Sequence, residues 1–187
     1  PQVQIEFYES HYQALCSSME KGDIDAAIVG IPLDFSPPKL LVKTLTRTQF
    51  AVFGSADHPL TKIERAIEMK DLLDYPWMQN TKAPDNTPFL PQIEGVGPVS
   101  RDEAKFICVD SLHMGKELLI NSHCLCHCPE LAMVVELSRG RVKKLDLPIR
   151  IYNVTIAALR QRDIHSSTLD HLFSVVDKYF ENTAIHL

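Results

Sequence analysis

Hydrophobic and polar residues alternate along Val3-Gln4-Ile5-Glu6-Phe7-Tyr8, and this period of two predicts a strand. Ser10 follows as the expected N-cap of a helix that puts Tyr12, Leu15 and Met19 on one face. Gly22 stands where a left-handed glycine would end that helix. Ile24-Asp25-Ala26-Ala27-Ile28-Val29-Gly30 is nearly all apolar, the pattern of a buried parallel strand. Strand, helix and strand in about thirty residues predict a βαβ unit with a right-handed crossover.

Pro32, Pro37 and Pro38 then mark a loop. Leu40 to Leu45 and Gln49 to Gly54 read as two extended segments, followed by a turn at Ala56-Asp57-His58-Pro59. Ile63, Ile67 and Leu72 give Lys62 to Leu73 helical spacing, and Pro76 to Gln79 begins another extended piece. Pro84, Pro88, Pro91 and Pro98 leave room between 82 and 98 only for loop and a short helix at most.

Lys105 to Val109 predicts a strand running into Asp110-Ser111, either of which can cap a helix over Leu112 to Asn121. His123 to Cys128 is extended, and Pro129 fits N1 of a helix ending near Gly140. Val142 to Leu147 and Arg150 to Leu159 read as strands. Ser166 or Ser167 is expected to cap a last amphipathic helix bearing Leu169, Leu172, Phe173, Val176 and Phe180.

This alternation argues for an α/β fold with mostly parallel sheets, in which ligands bind beyond the carboxyl ends of the strands. Four places meet that description: Gly30-Ile31, Gln79 to Thr81, Asp110-Ser111 and His127-Cys128.

Charge and composition narrow the chemistry. The 187 residues carry 19 Lys and Arg against 24 Asp and Glu, a net charge of −5, so direct DNA binding by this segment is not expected. The 7 glycines form neither a P-loop nor a G-x-G-x-x-G fingerprint, and no nucleotide cofactor is expected. No apolar run approaches the roughly 20 residues that span a bilayer. The start, Pro1-Gln2-Val3-Gln4, is neither a signal peptide nor an initiator methionine, which suggests a chain entered part-way. Five cysteines, three of them within five residues, fit reduced cytoplasmic thiols better than a secreted disulfide framework.

Several fragments resemble a known family. Glu20-Lys21-Gly22-Asp23-Ile24-Asp25-Ala26-Ala27-Ile28 resembles the G-x-L-D-hydrophobic-A-I stretch of LysR-type transcriptional regulators. Ala56-Asp57-His58-Pro59-Leu60 resembles their HPL turn, and Asp71 to Met78 their D-L-x-x-x-P-W segment. Val109-Asp110-Ser111 is similar to their T-D-[AST] turn, and the strand to Pro129 to their G-x-G-I-x-x-L-P pattern. Their order and spacing cover nearly the whole chain, within the effector-binding region only.

The resemblance implies a fold similar to type 2 periplasmic binding proteins: two hinged α/β subdomains, about 1–45 with 149–187 and about 46–148, holding a small molecule between them. It also implies a homodimer or tetramer, with DNA read by a separate N-terminal winged helix-turn-helix. The chain departs from the family in two ways. The family's region normally opens with a strand and helix before the position of Pro1. Ser122 and Cys124 stand where the family has glycines, so the loop before that strand is free to run differently.

Each candidate site has a plainer reading beside it. The Asp110-Ser111 lip can bind an anionic effector through a hydroxyl and helix N-terminal N–H groups, or can simply cap the helix. Gly30 has no side chain and would offer backbone groups and room beside Ile31. Gln79 to Thr81 and His127-Cys128 are weighed the same way. In His123-Cys124-Leu125-Cys126-His127-Cys128 the cysteines face one side of a strand and the two histidines the other. Packing of small apolar thiols accounts for this, and metal or redox sensing is the alternative. A stand-alone solute-binding module is a further reading of the fold, and an enzyme using a Cys/His pair would need a thiol of depressed pKa. Arg139 to Lys144 reads as a solvated basic edge. No resident metal and no catalytic residue are expected.

Overall fold

A computed structural model describes residues 3–80, 105–147 and 152–183. The chain forms two compact units, Pro1–Thr48 with Asn153–Leu187, and Gln49–Tyr152.

In the first unit, helix α1 (Tyr12–Lys21) ends at Gly22, whose φ of 81° is the left-handed conformation that a Cβ disfavours. Strand β1 (Ala26–Ile31) pairs antiparallel with β7 (Asn153–Gln161), with Ala27 opposite Leu159 and Val29 opposite Ala157. β7 lies between β1 and the long strand β2 (Leu40–Ser55), so β1 ends the strand order. Cys16 and Met19 of α1 pack on Ala27, Val29, Ile31, Leu40, Ala157 and Leu159, closing one face of the sheet. Helix α5 (Ser167–Thr183) is capped by Ser166, whose Oγ accepts the Leu169 N–H at 3.3 Å. With β2 and β7 it lines an open groove of about 300 Å³, bordered by Leu41, Ala158 and Phe173 and by the ion pairs Lys43–Asp177 and Arg160–Asp170.

In the second unit, β2 continues into a run buried on both faces, Ala51 to Ser55. It pairs antiparallel with β5 (Leu125–Pro129) and β6 (Val142–Lys144). β3 (Trp77–Asn80) lies parallel to both β5 and β4 (Phe106–Val109). One sheet face packs Val52, Trp77 and Leu125 against Leu60, Ile67 and Leu72, the last from helix α2 (Met69–Leu73). The other packs Ala51, Phe53 and the cysteines of β5 against Leu119 of α3 (Leu112–Ile120) and Met133, just before α4 (Val134–Ser138).

Several expectations are corrected here. Val3 to Tyr8 forms no strand: its side chains are exposed, Phe7 to 89%, and no sheet partner lies among the described residues. Alternation makes a strand possible, but only a neighbour can accept its backbone hydrogen bonds, so no βαβ unit forms around α1. α1 starts from His11, not Ser10, and without a side-chain cap. β2 is one strand of 16 residues where two segments were expected, because polar Thr46, Arg47 and Thr48 interrupt the apolar pattern without breaking the extended backbone. Lys62 to Leu73 is no single helix. A 3₁₀ turn at Pro59–Lys62 and α2 flank an irregular stretch, where Asp71 accepts the Glu68 N–H at 2.8 Å and pairs with Arg65. Pro129 closes β5 and precedes a 3₁₀ turn at Glu130–Met133, so it does not sit at N1 of a long helix. Among the described pairings only β3 with β4 and with β5 is parallel, and β1–β7, β2–β5 and β2–β6 are antiparallel, so these pairings are not mostly parallel.

Candidate functional site

Three parallel strands of the second unit, in the order β5-β3-β4, end side by side. Gln79 closes on this edge opposite Cys108 of β4, and Asp110 and Ser111 follow β4 directly. His127 and Cys128 are the matching end of β5, since Met78 pairs with Cys126 one step earlier. The strand-end rule thus brings Gln79, Asp110, Ser111, His127 and Cys128 to one sheet edge. Thr81 lies outside the described residues. Gly30 and Ile31 belong to the first unit: Gly30 is exposed, whereas Ile31 is 2% exposed and sits in that unit's core. Ile31 thus offers a ligand no open surface, backbone included.

Ser111 occupies the N-cap position of α3, and its carbonyl accepts the Gly115 N–H at 3.0 Å. Its hydroxyl makes no capping bond, and the first turn of α3 holds no acidic side chain. The dipole at this helix start is thus left for a ligand or water to complement.

His127 and Cys128 point to opposite faces of the sheet. His127 stacks near Phe50, ring centroids 5.1 Å apart, and burial pushes its pKa down to about 4, so the ring is neutral near pH 7. Its Nε2 is buried without a hydrogen-bond partner among the described residues. The neighbouring Cys126 thiol, together with burial, pushes the Cys128 thiol well up. Cys124 is also pushed up by burial. Both shifts run opposite to an activated nucleophile.

One part of this unit was not foreseen. Glu136 is buried and meets Lys116 at 3.0 Å and Arg141 at 3.3 Å. Burial alone would raise its pKa, yet the two cations hold it below the usual value. Arg141 and Lys144 are thus engaged, by Glu136 and Glu130, where a freely solvated basic run was expected. Lys116 and Glu136 stand 20 positions apart, so no local pattern could reveal the pair.

The model of the LysR substrate binding domain matches residues 1–180. The chain belongs to this family. This LysR-type domain is also similar in fold to solved regulators. The effector binding domain of a BenM variant shares 17% identity over 97% of this chain and 82% of that one, with a TM-score of 0.60. Vibrio fischeri DarR, solved with DNA, shares 13% identity at TM-score 0.63, over 95% of this chain and 57% of that one. A full-length OxyR variant from Pseudomonas aeruginosa shares 19% at TM-score 0.59, over 91% and 56%. The LysR-type domain therefore spans a little over half of those two longer regulators. No curated protein matches it by sequence. The expected α/β, periplasmic-binding-protein-like class holds.

Proposed function

We propose that this chain is the effector-sensing part of a LysR-type transcriptional regulator. A small anionic molecule binds at the carboxyl edge of β3, β4 and β5. Hinge rearrangement of two subdomains, within a homodimer or tetramer, passes the event to DNA-reading helices in a separate domain. The observation that carries this reading is the convergence of Gln79, Asp110, Ser111, His127 and Cys128 at neighbouring strand ends. Thr81 and the exposed Gly30, with Ile31 beside it, are the remaining members of the proposed set.

The uncapped first turn of α3 and the free Ser111 hydroxyl suit a carboxylate. Asp110 is exposed beside them and adds an acceptor, so an effector with a hydroxyl or amino group next to its carboxylate satisfies both. The effector works by population shift: it binds one hinge state better and moves the equilibrium by that difference. Among the described residues no helix is long and apolar enough to cross a membrane. Action on DNA places the intact regulator in the bacterial cytoplasm.

A thermal-shift screen of small hydroxy, amino and aromatic carboxylates tests the site. A ligand at 100 times its Kd should add about 2.7 kcal/mol of stability, and Ser111→Ala should abolish the shift. A hit whose affinity is unchanged by Ser111→Ala and Gln79→Ala removes the site from this edge.

A further inference from the structure

The open groove bordered by α5, β2 and β7 lies within the first unit and has no part in the effector edge. Leu41 and Lys43 alternate onto one face of β2, and Ala158 and Arg160 onto the same face of β7. Asp170, Phe173, Ser174 and Asp177 stand at i, i+3, i+4 and i+7 of α5, so one stripe of the helix faces them. Ala158 and Ser174 are small, and about 300 Å³ stays open over a floor of Leu41, Ala158 and Phe173. The last two are buried, so the floor is apolar and fixed.

An ion pair stands at each end of this floor, and each pair has one covered and one open partner. At one end the Arg160 side chain is 20% exposed and that of Asp170 63%. At the other, Asp177 is 25% exposed and Lys43 52%. The open partners are screened by water and readily exchanged. The covered partners differ in sign, a guanidinium at one end and a carboxylate at the other. Asp170 takes a single Arg160 N–H, at 2.6 Å, and the rest of that fork makes no hydrogen bond among the described residues. The Ser174 hydroxyl, between the two ends, also has no hydrogen-bond partner among the described residues.

We propose that this groove binds a short apolar peptide by its two free termini, the carboxylate on Arg160 and the ammonium on Asp177. The lining selects a guest that carries both charges. A bare anion meets Asp170 and Asp177, and a bare cation meets Lys43 and Arg160. Asp170 and Asp177 are two helical turns apart, about 10 Å along α5, and three extended residues span about the same length. The guanidinium fork takes a carboxylate on two N–H groups where Asp170 uses one. An apolar side chain of the guest lies on Leu41, Ala158 and Phe173, and Ser174 meets a peptide group, which a plain hydrocarbon spacer lacks. Asp170 and Lys43 swing into water as the guest enters, so no charge is left buried without a partner.

Isothermal titration calorimetry of the chain with leucyl-alanyl-leucine tests the site. One peptide should bind per chain, and acetylating its amine or amidating its carboxylate should each weaken binding at least about 10-fold. In Arg160→Gln the free and amidated peptides should bind alike, and in Asp177→Asn the free and acetylated ones. General damage to the fold does not produce that pairing. Asp170→Asn releases the guanidinium and should tighten binding about 3-fold, although it removes an ion pair. Ser174→Leu fills the groove with a good helix former and should abolish binding with the circular dichroism spectrum unchanged. The linear ω-aminooctanoate, with a similar charge separation but no peptide group, should bind at least about 10-fold more weakly. No binding of leucyl-alanyl-leucine, equal affinity for capped and free peptides, full affinity in Ser174→Leu, or equal or tighter binding of ω-aminooctanoate overturns the proposal. Should Ser174→Leu misfold, the pairing of variants with capped peptides decides. None of these readouts depends on the effector.

Discussion

The ring of His58 ties two distant turns together: its Nε2–H donates to the backbone carbonyl of His123 at 3.2 Å, 65 residues along the chain. Its Nδ1 meanwhile accepts the Leu60 N–H at 3.1 Å, which fixes the neutral tautomer. The ring is fully buried beside Tyr75, and Gly54 makes room for it, since a Cβ there would lie 3.0 Å from His58 Cγ. His58 thereby sets where β5 begins, and with it the edge that carries His127 and Cys128.

His58→Ala should cost about 3 kcal/mol, from lost packing plus a stranded Leu60 N–H and His123 carbonyl. Gly54→Ala should cost about 1–3 kcal/mol by overpacking against the ring. Urea unfolding monitored at Trp77, itself buried and donating to the Leu72 carbonyl, reads both. Near-parent stability in either variant would remove His58 from this structural role.

Stability should fall on mild acidification. The His127 pKa is lowered by burial to about 4 from an unfolded value of 6.5, so between those values the unfolded chain binds more protons. Its contribution is fully present above about pH 6.5 and is lost as pH falls toward 4, up to about 3 kcal/mol. Burial also lowers His58, which acts in the same direction. His127→Phe should flatten the dependence of Tm on pH across this window; an unchanged profile would place the acid lability elsewhere.

Glu136 separates buried from exposed electrostatics. Glu136→Gln leaves Lys116 and Arg141 facing each other without their carboxylate and should cost about 3 kcal/mol. Asp170→Asn removes the exposed partner of Arg160 and should cost less than about 1 kcal/mol. Adding 1 M salt should erase the second difference and leave most of the first. Equal costs for the two variants would contradict the buried setting of Glu136.

Gly22→Ala forces a side chain into φ of 81° and should cost about 1 kcal/mol. Ser166→Ala removes the cap of α5 at a similar cost. Thermal melts of the two single variants check both, and an unchanged Tm in either would remove that residue from its capping role.

What the residues revealed beforehand follows from how local each cause is. Gly22, Ser166 and the strand ends at Gln79 and Cys128 rest on neighbours a few positions away, and they were legible. Val3 to Tyr8 failed because alternation describes a strand's faces and says nothing of its partner. The irregular stretch before α2 was hidden because Ile63, Ile67 and Leu72 reach one core without sharing one helix. The Glu136 ion pairs and the Met78–Cys126 adjacency depend on register between strands and helices distant in sequence. Such contacts exist only once the chain has folded.

Among the described residues β1 closes the strand order, paired with β7 on one flank. Ala26-Ala27-Ile28-Val29-Gly30-Ile31 carries no charge and no proline, and Ile28 lies half open to water. Such a rim is a template for further strands, with Asp25 and Pro32 guarding its two ends and no lysine or proline along it. In concentrated solution the chain should therefore tend toward edge-to-edge aggregation, and a single lysine at Ile28 should improve its solubility.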